Sequence, residues 1–294
     1  RPLDSVEIRR CGPPPPNAHP IDLYGVPIYG YRPGVGHHVI YDRFHAGEWI
    51  YPRYLNRSSR ADAASWRWLD ALLLARGALL VHATADPDVL AERVRARNND
   101  LVTPEQVRLI RDEYLILLST SQLPTLRYEA GDPFAVAEIL TRARDLESRA
   151  VPLNRFATYV GPPKPRYLLL GDVRPLPTLG PAFCPRPGTS GHYLLTHLQQ
   201  SCVDAGLGVA NACDVDDVTA LRRTLGWPHT VALGCRAHRK LLSRIEGPDE
   251  TFRFGAAPHP QLIRRFYHRF GWLYGAVITE TLRDGRNELS WRPT

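Results

Sequence analysis

The sequence lacks the features that define small disulfide-rich and zinc-binding domains. Its 294 residues include no methionine and only five cysteines, and no two of the cysteines form a CxxC pair. Because the number of cysteines is odd and no CxxC pair is present, the sequence predicts neither a disulfide framework nor a zinc ribbon. We therefore expect reduced thiols in a cytoplasmic protein. The cysteines are Cys11, Cys184, Cys202, Cys213 and Cys235.

Long apolar runs are also missing. A helix that crosses a bilayer needs about 20 predominantly apolar residues, and runs such as ALLLARGALLVHA are interrupted by Arg and His. We therefore expect a soluble protein with no membrane partner.

Lysine is nearly absent, although the net charge is +7. Lys164 and Lys240 are the two lysines, and arginine supplies the rest of the positive charge. Because the guanidinium group suits bidentate contacts with phosphate, the composition favours a phosphate-bearing partner. A solvated basic surface is the alternative.

Strand and helix patterns alternate along the whole chain, which is longer than a usual single domain. This alternation predicts an α/β protein of two α/β domains, residues 1–150 and 167–294, each with a mostly parallel sheet covered by helices. The Pro-rich segment 151–166 lacks either period and is predicted to be a linker.

Several local predictions are specific. Strands are predicted at 37–42 and 167–171, and Thr103-Pro104-Glu105-Gln106 has the pattern of a capping box that opens a helix ending near Ser119. The segment 261–282 is predicted to be one long helix.

The stretch VIYDRFHAGEWIYPRY (39–54) carries the first candidate site. An apolar strand ends in Asp42 and Arg43, where an uncompensated charge would be costly. Asp42 is a candidate to help hold Mg²⁺ or to accept the proton of an attacking hydroxyl, and Arg43 to clamp a phosphate. A structural ion pair at the strand end is the alternative.

Further along, a helix carries the candidate lid residues Arg93, Arg95 and Arg97, whose alternative is a solvated helix face.

Three segments of the first half together resemble thymidylate kinase-like P-loop kinases. They are VIYDRFHAGEWIYPRY, GALLVHATADPDVLAERVRARNND and PTLRYEAGDP, within about residues 5–145. The resemblance implies ATP and Mg²⁺ as cofactors. The G-x-x-x-x-G-K-[ST] loop that cradles the phosphates is not in this sequence. Because the chain also has no Met and starts at Arg1, we expect this loop upstream of Arg1; a degenerate, inactive kinase fold is the alternative.

Five segments of the second half resemble the uracil-DNA glycosylase superfamily, across about residues 166–282. They are YLLLGDVRPLP, PAFCPRPGTSGHYLLTHL, GVANACD, VALGCRAHRKL and GAAPHPQLIRRFYHRF. The resemblance implies that Asp172 activates water or is a polar pocket residue, that Phe183 stacks on the base, that Asn211 reads the pyrimidine edge and that His259 is an electrophile. Taken singly, these residues have structural alternatives: Phe183 as a core residue, Asn211 as a turn residue and His259 as a histidine at the start of a helix. Because GDVRP and HPQ depart from the family motifs, we expect binding of a pyrimidine rather than its excision.

The last helical segment, QLIRRFYHRFGWLYGAV, interleaves aromatic residues with cations. Its Arg264, Arg265 and Arg269 are candidates to contact a nucleic-acid backbone, and an amphipathic docking helix is the alternative.

Together these features predict a kinase that transfers a phosphoryl group from ATP to a thymidine-type substrate. Pairing a kinase-like half with a pyrimidine-binding half suggests 5-hydroxymethyluracil, in bacteriophage DNA or as its nucleotide, as the acceptor. The alternative is a DNA-binding or base-excising protein whose kinase-like half is a non-catalytic scaffold.

Overall fold

The computed structural model describes residues 5–12, 15, 18–30, 37–97, 101–151, 156, 158–172, 182–198, 206–212, 218–242 and 254–284. The chain divides into two compact units. The first comprises Arg1–Leu73 and Gly77–Arg149, and the second comprises Leu74–Arg76 and Ala150–Thr294. In the described ranges, no helix has the length and apolar character that crossing a membrane requires.

The first unit alternates strands with helices, as the sequence pattern predicts. Its elements are β1 (Ser5–Arg10), a π-helical turn (Ile21–Gly25) that runs into α1 (Val26–Gly30), β2 (His37–Asp42), α2 (Ala46–Tyr54), α3 (Ala63–Leu74), β3 (Leu80–Thr84), α4 (Pro87–Arg97), α5 (Pro104–Ser119), β4 (Thr125–Glu129) and α6 (Ala135–Arg149).

The strands of the first unit form two separate pairs in the described part of the chain, rather than one sheet. β1 pairs with β2 and β3 pairs with β4, both in parallel. Strand β2 has the predicted bounds, and Asp42 is its last residue.

Helix α5 begins with the predicted capping box. The Thr103 hydroxyl accepts from the Gln106 backbone N–H (3.4 Å), and the Thr103 N–H donates to the Gln106 side chain (2.9 Å). Two backbone N–H groups at the start of the helix are thereby satisfied, and the helix ends at Ser119.

The second unit contains a four-stranded parallel sheet. Its described elements are β5 (Tyr167–Gly171), α7 (Ser190–His197), β6 (Leu207–Asn211), α8 (Val218–Thr224), β7 (His229–Leu233), α9 (Cys235–Leu242), β8 (Phe254–Ala257), α10 (Pro260–Phe266), a 3₁₀ turn (His268–Phe270) and α11 (Gly271–Asp284).

The strand order of this sheet is β6-β5-β7-β8, and all its pairings are parallel. Every residue of β5, β6 and β7 is buried, as expected for parallel strands that are covered on both faces. The α/β fold class predicted from the sequence is confirmed, and the carboxyl ends of the strands lie at one edge of the sheet.

The predicted linker 151–166 belongs to the second unit, and its described part packs on the sheet of that unit. Tyr159 and Val160 are buried, and Val160 forms an antiparallel bridge with Val209 on β6. The segment contains large apolar side chains as well as prolines, so burial rather than proline content determines where it lies.

The segment predicted as one helix over 261–282 is broken. Helix α10 ends at Phe266, and Tyr267 adopts φ −134° and ψ 30°, which are not α-helical angles. The 3₁₀ turn follows, and α11 starts at Gly271. Helical periodicity continues across the break in the sequence, which is why the pattern alone predicts a single helix.

Candidate functional site

Three of the four predicted base-binding residues end or follow strands of the four-stranded sheet. Asp172 comes directly after β5, Asn211 is the last residue of β6, and His259 lies two residues after β8. Because the strands are parallel, these positions share the carboxyl edge of the sheet, where α/β proteins usually bind their ligands.

The side chains of Phe183 and Asn211 both lie close to Gly171, the last residue of β5. A Cβ atom at Gly171 would lie 2.6 Å from Cζ of Phe183 and 2.9 Å from Oδ1 of Asn211. The missing side chain therefore allows an aromatic ring and an amide to approach the end of β5 together. These two side chains are the stacking and edge-reading residues predicted from the sequence.

The backbone of Phe183 is in an unusual conformation. Its φ is +51°, which is rare for a bulky side chain and costs free energy that the surroundings must offset. A Cβ at Gly191, in the first turn of α7, would lie 2.5 Å from the Phe183 carbonyl oxygen. The start of α7 thus packs directly on the backbone of Phe183, a residue that is 9% exposed.

Asp172 caps helix α9. Its Oδ1 accepts a hydrogen bond from the backbone N–H of Ala237, and a Cβ at Gly234 would overlap its carboxylate. Gly234 has φ +103°, so glycine serves both the turn and the close approach. A carboxylate at a helix N-terminus is stabilised by the exposed N–H groups and the helix dipole. The Asp172 side chain is therefore held in place at the carboxyl edge of the sheet.

His259 caps α10 through its ring. Nδ1 accepts from the backbone N–H of Gln261 at 3.2 Å, so in the neutral ring the proton is on Nε2. Burial lowers the pKa of His259, and the nearby Asp172 carboxylate opposes this shift. The ring is thus a neutral donor whose Nε2–H is suited to a carbonyl oxygen.

In the first unit, Asp42 is exposed and faces a cation. Its Oδ2 lies 4.0 Å from Nε of Arg10, and the two side chains are 53% and 88% exposed. The ion pair at this strand end thus joins Asp42 to Arg10 of β1, and surface pairs of this kind contribute little to stability. Mg²⁺ often binds one or two carboxylates plus waters and phosphates, so a single exposed Asp is compatible with an indirect role at such an ion.

Arg43 follows Asp42 in a strained conformation, with φ +57°. Such residues cluster at functional sites. Its charge acts on the phenol of Tyr114 on α5, where it opposes the increase in pKa that burial causes. The end of β2 therefore carries a carboxylate followed by a guanidinium whose charge reaches a half-buried phenol.

The predicted lid residues Arg93, Arg95 and Arg97 are exposed on α4. This helix packs on α5, and Asp88 pairs with Arg108 between the two helices. The arginines thus lie on a solvated helix face.

Sequence reasoning missed two buried polar clusters in the first unit. Glu48 accepts from both terminal nitrogens of Arg57 at 3.0 and 2.7 Å and from the Ser59 hydroxyl at 2.9 Å. His45 donates from Nε2 to Asp70 at 3.0 Å. Glu48 and His45 stand in the stretch that drew attention to Asp42, but their partners are 9 and 25 residues away, so no local pattern indicates the pairs.

The predicted nucleic-acid contacts lie on α10 and the turn after it. Arg265 and Arg269 are exposed, and Arg264 is half-buried.

Within the described ranges, no group of three or more His, Cys, Asp or Glu side chains is arranged to hold a metal ion. Arg174, which interrupts the GDVRP motif, lies outside the described residues.

Comparison with known proteins adds no family to these observations: no family model, curated protein or solved structure matches the chain.

Proposed function

We propose that this chain is a two-domain phosphotransferase in which the second unit holds a thymine-type base. The acceptor is 5-hydroxymethyluracil, in viral DNA or as its nucleotide, and the phosphoryl donor is ATP with Mg²⁺. The observation that carries the proposal is the meeting of Phe183 and Asn211 above Gly171, at the sheet edge that also carries His259. From the odd number of cysteines and the absence of a CxxC pair in the sequence we propose a cytoplasmic location.

The second unit supplies what recognition of an unstacked base requires. Enzymes that bind an extruded base use a stacking surface and a few fixed hydrogen-bonding groups. Phe183 offers the ring, the Asn211 amide carries both a donor and an acceptor, and His259 offers a neutral Nε2–H. A pyrimidine with carbonyl and N–H groups on its edge complements this set.

The first unit supplies groups suited to phosphoryl transfer. Such transfer depends mainly on positioning and on neutralising charge. Asp42 assists Mg²⁺ or accepts the proton of the attacking hydroxymethyl group, and the strained Arg43 binds a phosphate oxygen. Arg93, Arg95 and Arg97 lie exposed on α4, and we assign them to the lid on the resemblance alone. ATP would supply the transferred phosphoryl group.

The test is transfer of labelled phosphate from ATP and Mg²⁺ by the full-length protein. We expect labelled product with DNA containing 5-hydroxymethyluracil or with its nucleotide, and none with the matching thymine substrates. Phe183→Ala should weaken binding of the modified base by about 5- to 150-fold, as expected for loss of roughly 1–3 kcal/mol of stacking. Absence of label on all the substrates would contradict the kinase proposal, whereas unchanged binding in Phe183→Ala would contradict the pocket.

A base-excising function is the second candidate. The closeness of Asp172 to His259, whose ring it influences electrostatically, favours it because a carboxylate and an imidazole together can orient water. Against it, the Asp172 carboxylate is already bound to the N-terminus of α9. Release of free base from DNA that contains uracil or 5-hydroxymethyluracil would establish this function in place of the first.

A further inference from the structure

The corner between α10 and α11 exposes an unusual number of large aromatic side chains. Phe266, Tyr267, Phe270 and Trp272 are 69, 52, 53 and 67% exposed. These four rings fall within seven consecutive residues, whereas single exposed apolar residues are ordinary on protein surfaces. We call residues 265–273 the aromatic corner.

The corner is held firmly from the inside. A Cβ at Gly271 would overlap the ring of His197, and one at Gly275 would overlap the His197 backbone, so α11 lies directly against the end of α7. The buried Tyr274 donates its hydroxyl to the carbonyl of Pro258 at 2.7 Å. Because the inward face is fixed in this way, the outward rings need little further ordering to bind a ligand.

The charge around the rings is positive. Arg265, His268 and Arg269 are exposed within the corner, and the sequence has no Asp or Glu between His259 and Thr279. A second copy of this chain is a poor occupant, because a symmetric dimer would bring these cations against the same cations. A polyanion that also carries flat apolar groups is the better complement.

We propose that the aromatic corner is a binding site for single-stranded DNA. Unpaired bases stack on Phe266, Phe270 and Trp272, and the phosphates contact Arg265 and Arg269. Aromatic platforms beside cations are the usual means of binding a single strand without sequence preference. The residues proposed to bind the base are not part of this surface, so the proposal goes beyond the proposed function and does not require it.

The position of the corner gives it a use. His259 caps the start of α10 and Phe266 is the last residue of this helix, so the helix axis between them is about 10 Å long. A strand held at the corner would therefore keep its bases unpaired within a few nucleotides of the pocket.

The test uses a fluorescent, thymine-free oligonucleotide of about 12 nucleotides, within the range of known single-strand sites. Lack of thymine separates binding at the corner from binding in the pocket. Phe270→Ala and Trp272→Ala should each weaken binding by about 5- to 150-fold. Phe134→Ala is the matched control, because this ring is 79% exposed on the first unit and its loss should leave affinity unchanged.

The arginines are tested through salt dependence. With Arg265 and Arg269 both changed to Gln, the slope of log affinity against log salt should fall by about 1.4, the value for two phosphate contacts with a single strand. Arg142→Gln, which removes an exposed charge from α6, should leave the slope unchanged.

Each result decides the proposal separately from the pocket. Wild-type affinity in both ring variants, or an equal loss in Phe134→Ala, would overturn it. A wild-type dimer that Trp272→Ala dissociates, with oligonucleotide affinity unchanged, would identify the corner as a protein interface instead. Loss of selectivity for the modified base in Phe183→Ala concerns only the proposed function.

Discussion

At the scale of single residues, the first unit contains buried ionisable side chains that are hydrogen-bonded to one another. The Glu48 side chain is 3% exposed and that of Arg57 is 22% exposed, and two hydrogen bonds join them. Removal of one partner from a buried pair leaves the other charge without compensation, which costs more than the pair itself contributes. The pair therefore makes a clear test of this part of the structure.

We predict that Arg57→Met lowers the free energy of unfolding by about 3 kcal/mol, because the buried Glu48 loses its cation. Urea denaturation followed by tryptophan fluorescence measures the change. Arg53→Met is the control: Arg53 also binds a glutamate, Glu113, but is 66% exposed, and the loss should stay below about 1 kcal/mol. Equal effects of the two substitutions would contradict the buried pair.

The pKa of His259 gives a second prediction at this scale. Burial lowers it below the usual value of 6.5, so the unfolded chain binds this proton more readily than the folded chain does. The stability that depends on a neutral His259 is therefore present above about pH 6.5 and is lost as the pH falls through the lower, folded pKa.

We predict that His259→Asn makes stability less sensitive to acid, because Asn caps a helix but does not titrate. Denaturation at a series of pH values from 7.5 down to about 4.5 measures the effect. Some loss at low pH should remain, since burial also lowers the pKa of His197. A pH profile identical to that of the unsubstituted protein would show that His259 contributes nothing to it.

At the scale of elements, the carboxyl end of β5 determines the shape of the candidate pocket. The strand is buried along its length, and its last residue, Gly171, leaves the space in which Phe183 and Asn211 approach. Helix α7 packs on the backbone of Phe183 through Gly191, and the Ala237 N–H of α9 binds Asp172, the residue after Gly171. Elements that are distant in sequence thus position the residues at the end of β5.

We predict that Gly171→Ala displaces the Phe183 ring and abolishes binding of the modified base, because the new Cβ would lie 2.6 Å from the ring. Binding titrations together with thermal unfolding measure both consequences, and some loss of stability should accompany the displacement. Gly12→Ala is the control, since nothing lies within 4 Å of a Cβ at that position. Full binding by Gly171→Ala would show that the ring does not form the pocket.

At the scale of the whole molecule, two units each have their own sheets and their own candidate site. The first carries Asp42 and Arg43 at a strand end, and the second carries the base-binding set. Asp42 belongs to the first unit and the proposed base-binding side chains belong to the second, so a change confined to Asp42 removes no group that is proposed to hold the base.

We predict that Asp42→Asn leaves the protein folded and lowers phosphoryl transfer by at least roughly 100-fold, the scale of a positioned acid–base group. The affinity of the second unit for the modified base should not change. Transfer of labelled phosphate and base-binding titrations on the same preparation measure the two effects. Near-normal transfer would leave Asp42 as the surface partner of Arg10.

Local patterns in the sequence were sufficient for several elements. The bounds of β2 and β5 and the capping box at Thr103 all follow from neighbouring residues, because strand alternation and helix capping act over only a few positions. Asp172, Asn211 and His259 lie at one edge of the sheet, since residues at the carboxyl ends of parallel strands share an edge. What the order of motifs could not reveal was the space at Gly171 that lets Phe183 and Asn211 meet.

The sequence by itself determined the α/β class, because alternation of the two hydrophobic periods requires layers of strands and helices. Only the tertiary structure decided which polar residues are buried as pairs, such as Glu48 with Arg57, and where the last helix breaks after Phe266. Both depend on contacts between residues that are distant along the chain. A buried charge such as Glu48 requires a partner of opposite charge, and Gly271, at the start of α11, packs against the ring of His197. The periodicity of the sequence does not indicate such contacts, because they are determined by close packing in the folded protein.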